Sequence, residues 1–197
     1  MVKIVVTGVI LAGGEARRMN GCDKGQIQIA GKPLYQYAIS KLLPQVDYLI
    51  INANRNITEY QQAGYPVIVD TIVNFAGPLA GMLASLHAAQ TSWVVFVPCD
   101  VPDFPDDLVM KLWQGRKENV GSYVTSAGSN HPTFALLHRS VIPALEENLI
   151  KHQHKVMAFM KKISASAVNF ASNGKNFVNL NTLAECYQWE QQQTNDK

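Results

Sequence analysis

Cysteine is scarce. The chain has three in 197 residues, Cys22, Cys99 and Cys186, and no CxxC pair among them. An odd, unpaired set argues against a disulfide framework or a zinc knuckle and fits a reducing compartment. The five histidines offer no HxxxH spacing for a metal. Charge is also thin, at 16% of residues, and nearly balanced, with 17 basic against 15 acidic side chains. No global field draws nucleic acid or a membrane surface, so any anion site has to be local. No apolar run approaches the ~20 residues of a membrane span, and there are no repeats or low-complexity segments. The start, MVKIVVTGVILAGG, is apolar and carries a lysine. Its apolar run is short and lacks a small-x-small cleavage site, so it reads as a strand entering a loop and not as a secretion signal. A cytoplasmic protein with no nucleic-acid or membrane partner is the expectation.

What is present suits one compact domain. The chain is 47% hydrophobic, and at this length folding buries roughly 70% of the unfolded surface without a staple. A single domain over residues 1–197 is expected. β-branched runs at 4–11, 48–53, 66–69, 93–97, 121–124, 133–137 and 167–170 read as strands. Helix-length segments at 34–43, 58–63, 78–89, 105–117, 141–150 and 155–161, and from Thr182 onward, lie between and after them. The tail EQQQTNDK is polar and reads as fraying. Continuous apolar strands spaced by helices predict an α/β fold: three layers, a mostly parallel twisted sheet, helices on both faces. Ligands in such sheets sit beyond the carboxyl ends of the strands.

Each strand end carries a feature that has a bland and a sharp reading. After the first come Gly13-Gly14-Glu15-Ala16-Arg17-Arg18-Met19 and then Lys24. Two glycines can make a plain turn, or a nest of inward N–H groups for an anion, and the clustered cations favour the anion. Neither GxxxxGK[ST] nor GxGxxG is present, so this is neither a Walker A loop nor a dinucleotide fingerprint. Asn52-Ala53-Asn54-Arg55 reads first as a turn and otherwise as a reader of base or ribose. Asp70 is a helix cap or a rim carboxylate. Asp100, in PCDVP, is well placed to hold Mg²⁺, which binds through one or two carboxylates plus substrate phosphates, while Asp103 is the better cap for the following helix. Asn181, in VNLNT, reads as the cap of the last helix, with Asn179 beside it. His152, His154 and Lys155 form a small basic patch, and Cys99 reads as a small buried hydrophobe.

Taken together these stretches resemble a known family. LAGGEARRMNGCDKG at 11–25 is similar to the nucleotidyltransferase signature LAGG-x-x-R-R-M-G-x-x-K, with Asn20 where glycine is common. GPLAG at 77–81, PCDVP at 98–102, HPT at 131–133 and VNLNT at 178–182 extend the resemblance over nearly the whole chain. The set resembles the molybdenum cofactor guanylyltransferases, and Gly14 favours guanine over the LAAG of related cytidylyltransferases.

The resemblance implies a Rossmann-like nucleotidyltransferase that moves GMP from GTP to molybdopterin and releases pyrophosphate. It implies a GTP-binding N-terminal half and a molybdopterin-binding C-terminal half. Leu11, Ala12, Gly13, Gly14 and Gly81 would line the GTP site, and Asn52 and Asp70 would contact guanosine. Arg18, Lys24 and Asp100 would be the catalytic set, with Asp100 holding Mg²⁺. Lys155, Asn179 and Asn181 would face molybdopterin. A monomer is expected, making transient contacts with molybdopterin-delivering and molybdoenzyme-maturation proteins. Cytidylyl transfer to the same pterin, or nucleotidyl transfer to a sugar phosphate, is the alternative.

Overall fold

The computed structural model describes residues 4–13, 23–72, 77–171 and 176–195. The chain runs through β1 (Val6–Leu11), a short hairpin of β2 (Gln28–Ile29) and β3 (Lys32–Pro33), α1 (Leu34–Leu42), β4 (Tyr48–Asn52), α2 (Ile57–Gln61) and β5 (Val67–Ile68). It continues with α3 (Pro78–Ala88), β6 (Trp93–Pro98), α4 (Leu108–Gly115), β7 (Gly121–Ser126) and β8 (Ser129–His138). The last elements are α5 (Ile142–Ile150), α6 (Val156–Lys162), β9 (Ser166–Phe170) and α7 (Leu183–Asn195). Among these helices none is long and apolar enough to cross a membrane.

Seven strands form one sheet in the order β5-β4-β1-β6-β8-β7-β9. The sheet is mostly parallel, as the strand–helix alternation predicts. β8 alone runs against its neighbours β6 and β7. It does so because β7 and β8 are a hairpin closed by Ala127 and Gly128, both at positive φ (50° and 78°). Ala-Gly is a weak turn signal beside Asn-Gly, so the hairpin was hard to read locally.

Side chains alternate between the two faces of the sheet and split the core in two. Val6 and Ile10 of β1, Val95 and Val97 of β6, and Phe134 and Leu136 of β8 face the layer of α1 and α4, with Tyr35, Leu42, Phe104, Leu108 and Leu112. Val9 and Leu11, Val94 and Phe96, and Ala135 and Leu137 face α3, α5 and α6, with Leu83, Leu86, Leu145 and Phe159. Strands buried on both sides explain their nearly continuous apolar sequence. A third, smaller cluster (Ile27, Ile29, Leu34, Leu180, Cys186) fastens α7 to the β2–β3 hairpin.

One helix start differs from the sequence expectation. α4 begins at Leu108, after a turn in which Leu108 N–H donates to Pro105 O at 3.1 Å. Asp103 caps nothing. It pairs with Lys41 of α1 at 3.4 Å, and the same ammonium reaches Asp106 at 3.0 Å. The cation projecting from the neighbouring helix takes both carboxylates.

Candidate functional site

The register of the sheet assembles the site. Leu11 at the end of β1 lies opposite Asn52 on one side and Pro98 on the other. Backbone bonds carry the pairing one residue past the strands, Ala12 N–H to Asn52 O at 2.8 Å and Cys99 N–H to Leu11 O at 3.0 Å. Leu11, Ala12, Gly13, Asn52, Asp70 and Asp100 therefore share one rim. They line a single cavity with Asp23, Lys24, Gly77, Pro78, Pro98, Cys99, Thr133 and Asn179.

On the β4 side Asp70 is the hub. Its Oδ1 accepts from Asn52 Nδ2 at 2.8 Å and its Oδ2 from Asn54 Nδ2 at 2.8 Å, while its own N–H donates to Asn54 Oδ1 at 2.8 Å. Asp70 thus caps no helix, and the Asn52–Asn54 segment is more than a turn. Both amides orient a carboxylate whose outer lone pairs stay available to a ligand's N–H donors. α3 opens on the same side with Pro78 in its first turn, which costs no helical bond. One turn on, Gly81 lies behind Asn52 without lining the cavity. A Cβ there would sit 2.1 Å from Asn52 Oδ1, so only glycine lets the helix approach.

On the β6 side Asp100 is the hub. Lys24 Nζ donates to its Oδ2 at 3.2 Å and Asn179 Nδ2 to its Oδ1 at 3.2 Å. The C-terminal segment reaches this point through backbone bonds, Leu180 N–H to Asp100 O at 2.8 Å and Phe177 N–H to Asp103 O at 3.1 Å. Asn181 Oδ1 accepts from Lys24 Nζ at 2.7 Å. Asn181 does not cap α7. Thr182 Oγ1 accepts from Glu185 N–H, and Glu185 Oε2 accepts from the N–H groups of Asn181 and Thr182. This capping box relieves Asn181 of the role and leaves its side chain to the lysine.

Cys99 lies between these hubs as a buried thiol. Burial first, then the neighbouring Asp100 and Asp23 carboxylates, push its thiol well above the usual range, so it stays protonated. His131, packed at a tilt against Phe177 with ring centroids 5.4 Å apart, is held below the usual imidazole range by burial.

Of the residues singled out from sequence, Leu11, Ala12, Gly13, Lys24, Asn52, Asp70, Asp100 and Asn179 meet in the cavity, and Asn181 reaches it through Lys24. Gly14 and Arg18 lie outside the described residues. Lys155 is exposed at the N-terminal boundary of α6 and does not line the cavity. Sequence reasoning singled out none of Asn54, Asp23 and Thr133 as a site residue by itself. For the first two the signal was adjacency, Asn54 two residues past Asn52 and Asp23 next to Lys24. Thr133 was visible only as part of HPT.

The MobA-like NTP transferase domain matches residues 8–167. A molybdenum cofactor guanylyltransferase from Serratia proteamaculans is 50% identical over 95% of this chain and 95% of its own. One from Yersinia pestis is 52% identical over 94% and 95%. Among solved structures, molybdopterin-guanine dinucleotide biosynthesis protein A from Archaeoglobus fulgidus superposes with a TM-score of 0.76 at 17% identity, covering 96% of this chain and 99% of that one. A nucleotidyl transferase from Methanothermobacter thermautotroptrophicus gives 0.78 at 13%, covering 98% and 99%. At those identities the two structures speak for the fold, whereas the two sequence relatives and the domain match speak for descent. The chain belongs to the MobA-like NTP transferase family and, within it, to the molybdenum cofactor guanylyltransferases.

Proposed function

We propose that this enzyme transfers GMP from GTP to molybdopterin, forming molybdopterin guanine dinucleotide and pyrophosphate. The observation that carries the reading is the meeting of Lys24, Asp100 and Asn179 on one side of a cavity whose other side presents Asp70. In this reading the two carboxylates have different tasks. Asp70 accepts from the N–H donors on the guanine edge, held by Asn52 and Asn54. Asp100 faces the phosphates.

A terminal phosphate oxygen of molybdopterin attacks the α-phosphorus of GTP. The new P–O bond forms as the bond to the β-phosphate oxygen breaks, and pyrophosphate leaves with the electron pair. The nucleophile is already an anion near neutral pH, so no protein base is required. The chain's contribution is alignment and charge, with Lys24 offsetting negative charge on the departing oxygens and the β1 end holding the reactants in line. Arg18 is assigned the same role. Asn179 and Asn181, tied to Asp100 and Lys24, are assigned to the pterin side, and Lys155 to its outer edge. The domain thus has a nucleotide half and a pterin half that meet at Lys24.

The cavity lining also suits a divalent ion. Of its three carboxylates, Asp23 is bound by Tyr60, Gly25 N–H and Asn56, and Asp70 is held by Asn52 and Asn54, which leaves Asp100 to face the phosphates. Mg²⁺ binds through one or two carboxylates plus substrate phosphates. Asp100 would hold it, and when bound it polarises phosphoryl oxygens and offsets their charge. The free, buried thiols of Cys99 and Cys186 support a cytoplasmic site of action. The chain is read as a monomer that meets molybdopterin-delivering and molybdoenzyme-maturation proteins transiently.

The test supplies molybdopterin, Mg²⁺ and GTP, CTP or UTP separately and identifies the product by mass. The guanine dinucleotide is expected from GTP alone. A cytosine dinucleotide, or transfer only to a sugar phosphate, would overturn the assignment.

A further inference from the structure

We propose that Asp23, Tyr60 and Asn56 form a mount that aims Lys24 into the cleft, which makes Asp23 and Tyr60 positioning residues for the transfer. This rests on the role given to Lys24 above. Asp23 is buried at 8% exposure, and its carboxylate is fully engaged. Oδ1 accepts from Tyr60 Oη at 2.8 Å and from Gly25 N–H at 3.1 Å, and Oδ2 accepts from Asn56 Nδ2 at 3.0 Å. The acid therefore joins the single 3₁₀ turn Lys24–Gln26 to the start of α2.

Three features show that the mount is built to tight tolerance. Asn56 holds the N-cap position of α2 in the left-handed region (φ 50°), yet its side chain makes no cap bond. Its Oδ1 accepts no N–H of the helix, and its Nδ2 is directed to Asp23. Gly25 is pressed against the tyrosine so closely that a Cβ would lie 2.2 Å from Tyr60 Oη, and its other neighbour is Cys99 Sγ at 3.4 Å. Tyr60 is itself completely buried and packs edge-on against Tyr35 of α1, ring centroids 4.7 Å apart. Lys24 thus stands on a turn wedged between a core aromatic pair and the residue before Asp100.

A buried carboxylate is an expensive way to fasten a turn, since its desolvation has to be offset by every hydrogen bond it makes. An apolar contact would hold the fold as well. What the carboxylate adds is direction, because it fixes the backbone on both sides of a lysine that otherwise samples many rotamers. An uncapped αL asparagine at 56 and a glycine required at 25 by the approach of Tyr60, both around the turn of a catalytic cation, are the pattern expected where function determines the geometry.

The test is a double-mutant cycle. Tyr60→Phe keeps the ring and removes the donor, and Asp23→Asn keeps the shape and removes the charge. GMP transfer and the thermal midpoint are measured for each, alone and in a Lys24→Ala background. Tyr60→Phe is expected to lower kcat about 10-fold with KM for GTP changed less than about 2-fold, and to change kcat less than about 2-fold once Lys24 is gone. Should Asp23→Asn fail to fold, Tyr60→Phe and Asn56→Ala carry the cycle. Wild-type kcat in those variants, or the same fractional loss with and without Lys24, would overturn the mount and leave the cluster a fold element. If Lys24→Ala alone transfers GMP normally, the reading of Lys24 fails first and the mount with it.

Discussion

Lys24 Nζ lies 3.2 Å from an Asp100 carboxylate oxygen and 2.7 Å from Asn181 Oδ1, so one ammonium ties the first β–α corner to a segment 157 residues away in sequence. The pair is partly open, with side chains 26% and 14% exposed. A pair this accessible contributes on the order of 0–1 kcal/mol to stability. Its value is therefore sought in chemistry. Asp100→Asn is expected to fold, with a thermal midpoint within a few degrees of wild type, and to lose about 10²–10³ in GMP transfer. Pyrophosphate release with Mg²⁺ beside a thermal melt decides it, and an active variant would remove Asp100 from the reaction.

Gly81 and Asn52 give a second test. A methyl at Gly81 meets Asn52 Oδ1 at 2.1 Å, and Asn52 is one of the two amides on Asp70. Gly81→Ala should push Asn52 off Asp70 at an overpacking cost of about 1–3 kcal/mol. Titration calorimetry should find GTP binding about 10-fold weaker. Unchanged affinity in a folded variant would detach Asp70 from the guanine site.

His131 sets a pH dependence with a definite sign. Burial holds its folded-state pKa below the unfolded value of ~6.5, so the unfolded state binds more protons in the window between them. The contribution is complete above the unfolded pKa and is lost as pH falls through the folded one. The thermal midpoint should drop more between pH 7 and 5 in the wild type than in His131→Gln. Parallel curves in differential scanning calorimetry would show that the ring titrates as in the unfolded chain.

Cys99 should be slow to alkylate. With its thiol raised by burial and by Asp100 and Asp23, little thiolate exists at pH 7.5. Iodoacetamide followed by peptide mass mapping is expected to label Cys99 far more slowly in the native protein than after denaturation. Rapid native labelling would mean that the sulfur is exposed or activated.

Where local chemistry is self-sufficient, the sequence was readable. PLAGMLASLHAA announces α3 by its proline and its apolar run, and WVVFV announces β6 by its β-branched content. Where two signals compete, it was not. Both Asn181 and Thr182 are cap residues by type, and the choice of Thr182 depends on Glu185 completing the box and on Lys24 claiming Asn181. Asp103 likewise had the right type and position for a cap and was taken by Lys41.

By itself the sequence determined the alternating architecture and the collection of polar groups at strand ends, because hydrophobic periodicity and turn chemistry act over a few residues. Only the tertiary structure decided which of those groups serve which. Register set Leu11 between Asn52 and Pro98, a hairpin reversed β8, and a buried tyrosine from α2 met the acid beside Lys24. Those partners are distant in sequence, and the packing of the two core layers alone brings them within hydrogen-bonding range.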